Sequence, residues 1–221
     1  MGVAAAVLAM AVVLGYSLFS QNVGAPGPQP TVAPTPAPFS HHTAFRSGTY
    51  VIDWEFPGRI VFTVPTGWSP AQNAPDSVGV LKDEGAAPSG AGLGFFEVRE
   101  LLTGICGRWI GPTLIGPTVG DFVDGVAEPT RSRPTSISGY RGTYAEFDGL
   151  SDLSSCPEDR GLWTTHGGGQ RGIFGPDERN RVWVLDVGGR RLVINAFHYD
   201  STTQEARDEL DAMIESIRIV P

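Results

Sequence analysis

The chain has 221 residues, of which 41% are hydrophobic and 18% are charged, a composition typical of a protein that folds around a core. The formal net charge of −8 argues against nucleic acid as a partner and against adhesion to an anionic lipid surface. Charge is unevenly distributed, because the first Lys, Arg, Asp or Glu along the chain is Arg46. The folded part is therefore predicted to lie after that residue.

The uncharged N-terminal segment, residues 1–20, is predicted to be a transmembrane anchor or a signal segment. Residues 2–19 form a nearly unbroken apolar run. As a helix it would measure roughly 27 Å, close to the ~30 Å hydrocarbon core of a bilayer. An uncleaved anchor is favoured over a cleaved secretory signal, because the run is long and no clear A-x-A cleavage site follows it. A buried core helix is disfavoured by the proline-rich sequence that comes next.

Residues 21–44 are predicted to be a disordered, proline-rich linker. Prolines recur at positions 26, 28, 30, 34, 36 and 38. Proline favours an extended conformation of about 3.1 Å per residue, which suits a semi-rigid spacer. A proline-rich ligand for another domain is the alternative. The remaining residues, 45–221, are predicted to form one extracytoplasmic domain.

Cys106 and Cys156 are the two cysteines of the chain. A paired count outside the cytoplasm predicts a disulfide between them. The bridge would close a loop of about fifty residues and contribute roughly 4 kcal/mol in the chain-entropy model. Two free buried thiols are the alternative.

Several short segments of the domain are predicted to be strands. Residues 59–64 and 94–101 alternate in the manner of half-buried strands, 78–81 is a short apolar run, and 141–147 follows a Gly-Tyr turn. The clearest signal is the pair 181–187 and 190–197, because the two glycines between them predict a two-residue hairpin turn.

The hairpin fixes a register and therefore two apolar faces. One face carries Trp183, Leu185, Leu192 and Ile194, and the other carries Val182, Val184 and Val193. A sheet with two apolar faces needs cover on both sides.

Two helices are predicted to supply this cover. Residues 201–216 begin with a capping-box spacing of Ser201 and Gln204. Apolar residues then recur at helical spacing, at Ala206, Leu210, Met213, Ile214 and Ile217. A second helix is predicted over 119–127, with Thr118 as its cap. The order of elements predicts an α+β fold, an antiparallel sheet with helices on both faces, preceded by one transmembrane helix.

Three stretches and the C-terminal helix carry a resemblance to a known class of proteins. They are FTVPTGW at 62–68, SGYRG at 138–142 and VLDVGGRRLVI at 184–194, with the helix ending at Ser216 and Ile217. On these, residues 45–221 resemble uncharacterised membrane-anchored extracytoplasmic proteins of high-GC, actinobacterial-type bacteria and the PsbP-like fold group. The resemblance implies an α/β/α sandwich. Its motifs are turn glycines, a hairpin and a helix, so it implies a fold rather than a chemistry.

No catalytic, cofactor-binding or metal-binding site is predicted. Residues 166–169 copy the HGGG string of some esterases, but the Gly-x-Ser-x-Gly elbow that this chemistry needs does not occur in the chain. The glycine-rich stretch 90–94 precedes a strand and is interpreted as a turn, not as a nucleotide loop. Cys106, Cys156, His166 and His198 lack the closely spaced pairs of zinc sites. The carboxylates near Cys156 are interpreted as solvated: Asp148, Asp152, Glu158 and Asp159.

Trp109, Trp163 and His166 form a candidate partner surface, because Trp is enriched at binding hot spots. Packing of the two indoles against the disulfide is the alternative. The predicted function is non-catalytic: a binding or sensing module without cofactor, held at the cell membrane by a single N-terminal span and facing an unknown envelope protein or small ligand. The alternatives are a cell-envelope hydrolase with an unrecognised site and a structural subunit of a membrane complex.

Overall fold

A computed structural model of the chain describes residues 35–39, 46–85, 90–102, 112–116, 118–125, 129–148, 160–165, 170–173 and 177–221. The strands among these residues are β1 (Ala37–Pro38), β2 (Gly48–Ile52), β3 (Arg59–Val64), β4 (Ser69–Ala74), β5 (Ser77–Lys82), β6 (Ala91–Phe96), β7 (Val98–Leu102), β8 (Pro112–Leu114), β9 (Arg131–Ile137), β10 (Tyr140–Asp148), β11 (Arg160–Thr165), β12 (Gln170–Ile173), β13 (Glu178–Val187), β14 (Arg190–Tyr199) and β15 (Arg218–Val220). The helices are α1 (Val119–Gly125) and α2 (Gln204–Ser216). Neither of these described helices is long and apolar enough to cross a membrane, and the predicted anchor lies outside the described residues.

The centre of the fold is an antiparallel sheet of seven strands in the order β4-β5-β6-β14-β13-β10-β9. Its β13–β14 hairpin has the predicted register, with Leu185 opposite Leu192 and Trp183 opposite Ile194. Gly188 and Gly189 have φ angles of 63° and 82°. Two positive φ values are what the tight hairpin turn requires. The hairpin prediction is confirmed.

The two faces of this sheet enter two separate hydrophobic clusters. The first cluster includes the predicted face of the hairpin with Leu185, Leu192 and Ile194. The second cluster includes the opposite face with Val182, Val184 and Val193. Both faces are therefore covered, as their apolar character predicts.

One small sheet and one helix cover each face. The first face packs against α2 and the sheet β1-β2-β3-β15, and the rings of Phe62 and Phe95 lie 5.0 Å apart across this layer. The second face packs against α1 and the sheet β12-β11-β7-β8. There Trp163 lies 5.5 Å from Phe96 and 5.5 Å from Phe122.

The predicted α/β/α sandwich is therefore wrong. The described chain is mostly β-sheet, and each helix shares its side of the central sheet with a further four-stranded sheet. The error has a physical cause: segments 160–165 and 170–173 are short and have weak strand signals. They pair with each other, and 160–165 also pairs with β7, which is distant in sequence. The layers give no support to membership of the PsbP-like fold group.

The two helices begin close to their predicted positions. Thr118 and Asp121 cap α1 reciprocally, through Asp121 N to Thr118 Oγ1 at 3.2 Å and Thr118 N to Asp121 Oδ2 at 2.8 Å. Helix α2 begins at Gln204 instead of residue 201, and its cap is Thr203, whose hydroxyl accepts from Ala206 N at 3.3 Å. The buried residues of α2 belong to the predicted stripe: Ala206, Leu210 and Met213.

The predicted strand 94–101 is two strands, because β6 ends at Phe96 and β7 begins at Val98 in a different sheet. The stretch 90–94 was interpreted from sequence as a turn, but its residues 91–94 are the first four of the six residues of β6. A Cβ on Gly92 would lie 2.2 Å from the ring of Phe197. Glycine at this position weakens the strand signal in the sequence, but the close approach of the Phe197 ring requires a residue without a side chain.

The end of the proline-rich segment pairs with the domain. Strand β1 runs parallel to β2, and Phe39 N donates to Val51 O at 2.8 Å. The ring of Phe39 lies 5.8 Å from that of Tyr50 and 6.0 Å from that of Phe62. The sequence predicted a linker as far as residue 44, so the structure differs at 37–39. Residues 21–34 and 40–45 lie outside the described part.

A buried polar network joins β12 to the central sheet. Arg171, which is 5% exposed, forms an ion pair with Glu178, which is fully buried. The guanidinium of Arg171 also donates to Asn180 Oδ1 at 2.9 Å and to Asn195 Oδ1 at 2.5 Å. Tyr199 donates its hydroxyl to Glu178 Oε2 at 3.3 Å. Removing one partner of such a pair leaves the other charge buried, which is strongly destabilising.

We expect Arg171→Met to lower the free energy of unfolding by about 3–5 kcal/mol, because Glu178 would stay buried without its cation. Urea unfolding followed by tryptophan fluorescence measures the change. The matched control is Arg131→Met, since Arg131 has a side chain that is 67% exposed and lies 3.6 Å from Glu146. It should cost less than about 1 kcal/mol. Equal losses for the two variants would contradict the role given to the network.

Candidate functional site

A cleft of about 310 Å³ opens beside the turn of the β13–β14 hairpin. Its lining comes from the junction of β6 and β7, from the segment after β8, and from the start of β14. The lining residues are Glu97, Val98, Arg99, Ile115, Gly189, Arg190 and Arg191. Three arginines and one glutamate therefore face a single small cavity in a chain whose formal net charge is −8.

Arg190 forms the wall nearest the turn. Its Nε donates to Glu97 Oε1 at 2.7 Å, and its Nη2 donates to Glu97 Oε2, so one carboxylate meets two donors of the guanidinium fork. The third nitrogen, Nη1, donates to the carbonyl oxygen of Glu55. The guanidinium carbon also lies 5.3 Å from the ring centroid of Phe56. Backbone and ring contacts thus hold Arg190 independently of Glu97.

Glu97 occupies the point at which the chain leaves the central sheet. It is the single residue between β6 and β7, which belong to different sheets. Its backbone N–H donates to Asp76 O at 2.9 Å. This bond fixes the backbone of Glu97 but leaves its side chain, which is 26% exposed, to point into the cleft.

Arg191 forms the floor and is 6% exposed. Its guanidinium donates to three backbone carbonyl oxygens, those of Gly116 at 2.5 Å, Thr118 at 3.0 Å and Val98 at 2.8 Å. Burial lowers the pKa of Arg191, and the charge of Asp121 offsets part of that shift. These three hydrogen-bond acceptors of the buried cation are neutral groups. Arg191 positions the segment before α1 and supplies positive charge beneath the cavity.

Arg99 and two apolar residues complete the cleft. The side chain of Arg99 is 48% exposed, and its Nε lies 3.9 Å from Glu100 Oε1. Val98 is buried, and Ile115 packs at the edge of the second hydrophobic cluster. A cavity with guanidinium groups and a short apolar wall is suited to a small ligand with an anionic group and an apolar body.

The sequence-predicted partner surface does not coincide with this cleft. Trp163 is fully buried between Phe96 and Phe122, which puts its indole in the core and not on a surface. Trp109 and His166 lie outside the described residues. Cys106 and Cys156 do as well, so their disulfide stays a prediction.

No cluster of three or more potential metal ligands occurs among the described residues. Of the four residues considered as a zinc site, the structure describes His198 alone. Its Nδ1 lies 3.2 Å from Tyr199 O, and burial lowers its pKa. The side chain of His198 is half-buried.

Sequence reasoning missed the arginines of the cleft. Arg99 lies in the predicted strand 94–101, and Arg190 and Arg191 begin the predicted strand 190–197, but the sequence analysis assigns none of them to a site. The available signal was a pair of arginines directly after a tight turn, where adjacent strand residues point to opposite faces. Their meeting with Glu97 depends on long-range pairing of β14 with β6, which the local sequence does not encode.

A second arrangement of polar groups lies on the central sheet at β9, β10 and β13. Arg133 lies over the ring of Tyr144 at 4.5 Å, and the rings of Tyr144 and Trp183 are 5.0 Å apart. The Tyr144 hydroxyl donates to Glu146 Oε1 at 2.7 Å. Burial, and then this hydrogen bond, raise the pKa of Tyr144 to about 12. The phenol stays protonated near neutral pH and acts there as a hydrogen-bond donor.

No family model matches the sequence, and no curated protein matches it significantly. Several solved structures are matched at low similarity, among them the following two. A protein of Bacteroides thetaiotaomicron VPI-5482 matches 70% of this chain and 43% of its own length, at 8% identity and a TM-score of 0.34. LpqN of Mycobacterium tuberculosis, involved in cell envelope biogenesis, matches 79% of this chain and 92% of its own, at 15% identity and a TM-score of 0.37. Similarity at this level supports no inference about fold or function.

Tyr144 is expected to ionise at a pH well above the usual range of a tyrosine in an alkaline titration followed by tyrosinate absorbance. Its pKa of about 12 lies above the unfolded value of about 10. The stability that the protonated phenol contributes is therefore fully present below the unfolded pKa and is lost as the pH rises through the folded pKa. Tyr144→Phe should remove this late step. A late step that persists in the variant would show that another tyrosine causes it.

Proposed function

We propose that residues 45–221 form a non-catalytic binding module whose cleft beside the β13–β14 turn binds a small anionic ligand. The observation that carries the proposal is the lining of the cleft: three arginines and one glutamate around about 310 Å³. Ligand pockets span about 300–1,000 Å³, so the cleft suits a small molecule.

The burial of Arg191 supports an anionic ligand. A buried cation is stabilised when an opposite charge compensates it. The guanidinium of Arg191 is held by carbonyl oxygens, and Asp121, which acts on it electrostatically, belongs to the cap of α1. An anion seated between Arg99 and Arg190 would add compensation from the cleft side.

The composition of the cleft supports binding more than hydrolysis. Among the described lining residues the one carboxylate is that of Glu97, and the guanidinium fork of Arg190 engages it. In the unbound cleft both oxygens of this carboxylate accept from Arg190. The remaining lining groups supply charge, hydrogen-bond donors and apolar contact.

The module is proposed to work outside the cytoplasm, tethered through residues 1–20. The support comes from sequence: an apolar N-terminal run, a proline-rich segment and an even number of cysteines. A ligand of the cell envelope or the surrounding medium would then be accessible to the cleft.

Calorimetric titration of the full chain in detergent micelles, with sodium hexanoate and with inorganic phosphate, tests the anion site. The wild-type chain should bind at least one of the two probes. Arg99→Gln combined with Arg190→Gln should weaken that binding by about tenfold or more, since charge-assisted hydrogen bonds are lost. Arg59→Gln combined with Arg218→Gln removes equal charge from exposed positions elsewhere and should leave binding unchanged. No binding of either probe, by the wild-type chain or by Glu97→Gln, would overturn the proposal.

The extracytoplasmic location is tested by the state of the cysteines. We expect protein alkylated during extraction to gain the mass of label at Cys106 and Cys156 only after reduction, because oxidising compartments preserve disulfides. Labelling of both thiols without reductant would contradict the location as well as the bridge. A variant with both cysteines changed to Ser is the control for labelling at other residues.

A further inference from the structure

We propose that the carboxylate of Glu97 occupies the place of the ligand in the unbound cleft, and that the ligand is a small carboxylate with an apolar body that displaces it from Arg190. This inference rests on the proposed function and specifies the ligand of the same site.

The geometry of the Glu97–Arg190 pair supports a carboxylate. Nε and Nη2 of Arg190 each donate to a different oxygen of Glu97. This two-point contact matches a planar carboxylate to the planar guanidinium fork. Glu97 thus marks where a ligand carboxylate would bind and in which orientation.

The pair is exposed enough to exchange. The side chains of Arg190 and Glu97 are 41% and 26% exposed. Ion pairs that water reaches contribute little to stability, so a competing carboxylate meets a small cost in displacing Glu97. The buried pair of Arg171 and Glu178 has no such access, because these side chains are 6% and 0% exposed.

Arg190 stays in place when Glu97 leaves. The Glu55 carbonyl and the ring of Phe56 hold the guanidinium from the side away from Glu97. The Glu97 backbone is likewise fixed through Asp76. Only the glutamate side chain has to move, and the donor fork that receives the ligand is already oriented.

The other residues that line the cleft favour a ligand with an apolar part beside its carboxylate. Arg99 follows Glu97 by two residues, lines the same cavity and brings a second guanidinium toward the ligand carboxylate. Val98 and Ile115 provide an apolar wall. A short aliphatic chain would gain binding free energy by packing against this wall and displacing water. Inorganic phosphate has no apolar part and would gain none there.

Calorimetric titration of the full chain in detergent micelles compares wild type with Glu97→Gln, using hexanoate, acetate and inorganic phosphate. The amide keeps the shape of Glu97 but cannot compete as an anion. We expect hexanoate to bind Glu97→Gln about tenfold more tightly than wild type, and more tightly than acetate binds the same variant. Glu205→Gln removes the same charge from the first turn of α2 and should change nothing.

Two further measurements keep the test decisive. Glu97→Asp retains the charge on a shorter side chain that cannot reach both donors, and we expect an intermediate gain in hexanoate affinity. In the wild-type chain, hexanoate should shift the Nε–H resonance of Arg190 in a nitrogen–proton NMR spectrum, assigned by its loss in Arg190→Gln. This readout does not depend on the folding of the Glu97 variants.

The outcomes separate the two proposals. Unchanged or weaker hexanoate binding in Glu97→Gln, with binding still lost in Arg99→Gln combined with Arg190→Gln, overturns the role of Glu97 and leaves the anion site standing. A gain for phosphate but not for hexanoate overturns the carboxylate class alone. Absence of binding by every probe in wild type and in Glu97→Gln overturns the anion site itself.

Discussion

The register of the β13–β14 hairpin is the constraint on which the rest of the structure depends. Gly188 and Gly189 set the turn, and the turn decides which side chains of both strands enter which hydrophobic cluster. A slip by one residue would exchange the faces and bring charged side chains into the core. The two covering layers, with their helices, assemble on the apolar surfaces that this register creates.

The same register generates the cleft. Arg190 and Arg191 follow the turn directly, so their side chains leave β14 on opposite faces. Arg190 reaches the loop at Glu55 on one side, and Arg191 reaches the carbonyl oxygens around α1 on the other. Glu97 lies where the chain passes from the central sheet to β7. The cleft therefore lies where covering layers on both faces approach the end of one hairpin.

The sequence predicted the parts of the fold that depend on local periodicity. The hairpin, β3, the cap of α1 and the buried stripe of α2 all have a period that neighbouring residues encode. Most strands of the small outer sheets were missed because they are short. The start of β6 was missed because glycines weaken its strand signal, although the ring of Phe197 requires the lack of a side chain at Gly92. The cleft was missed for a related reason, since Arg99 and Arg190 are brought together only by pairing between strands distant in sequence.

An acidic chain with a cationic cleft places a physical limit on how an anion would bind. The net charge of −8 repels anions at a distance, so steering by the whole-protein field cannot favour the encounter. At physiological ionic strength this repulsion is screened beyond about 8 Å. Inside the cleft, attraction to the arginines would outweigh this repulsion. Arg191 is desolvated and is held by neutral carbonyl oxygens, and charges act more strongly where water is excluded. The affinity for the anion would then depend on the few groups that line the cavity. The competition between the Glu97 side chain and the ligand for Arg190 would decide which of the two occupies the cleft.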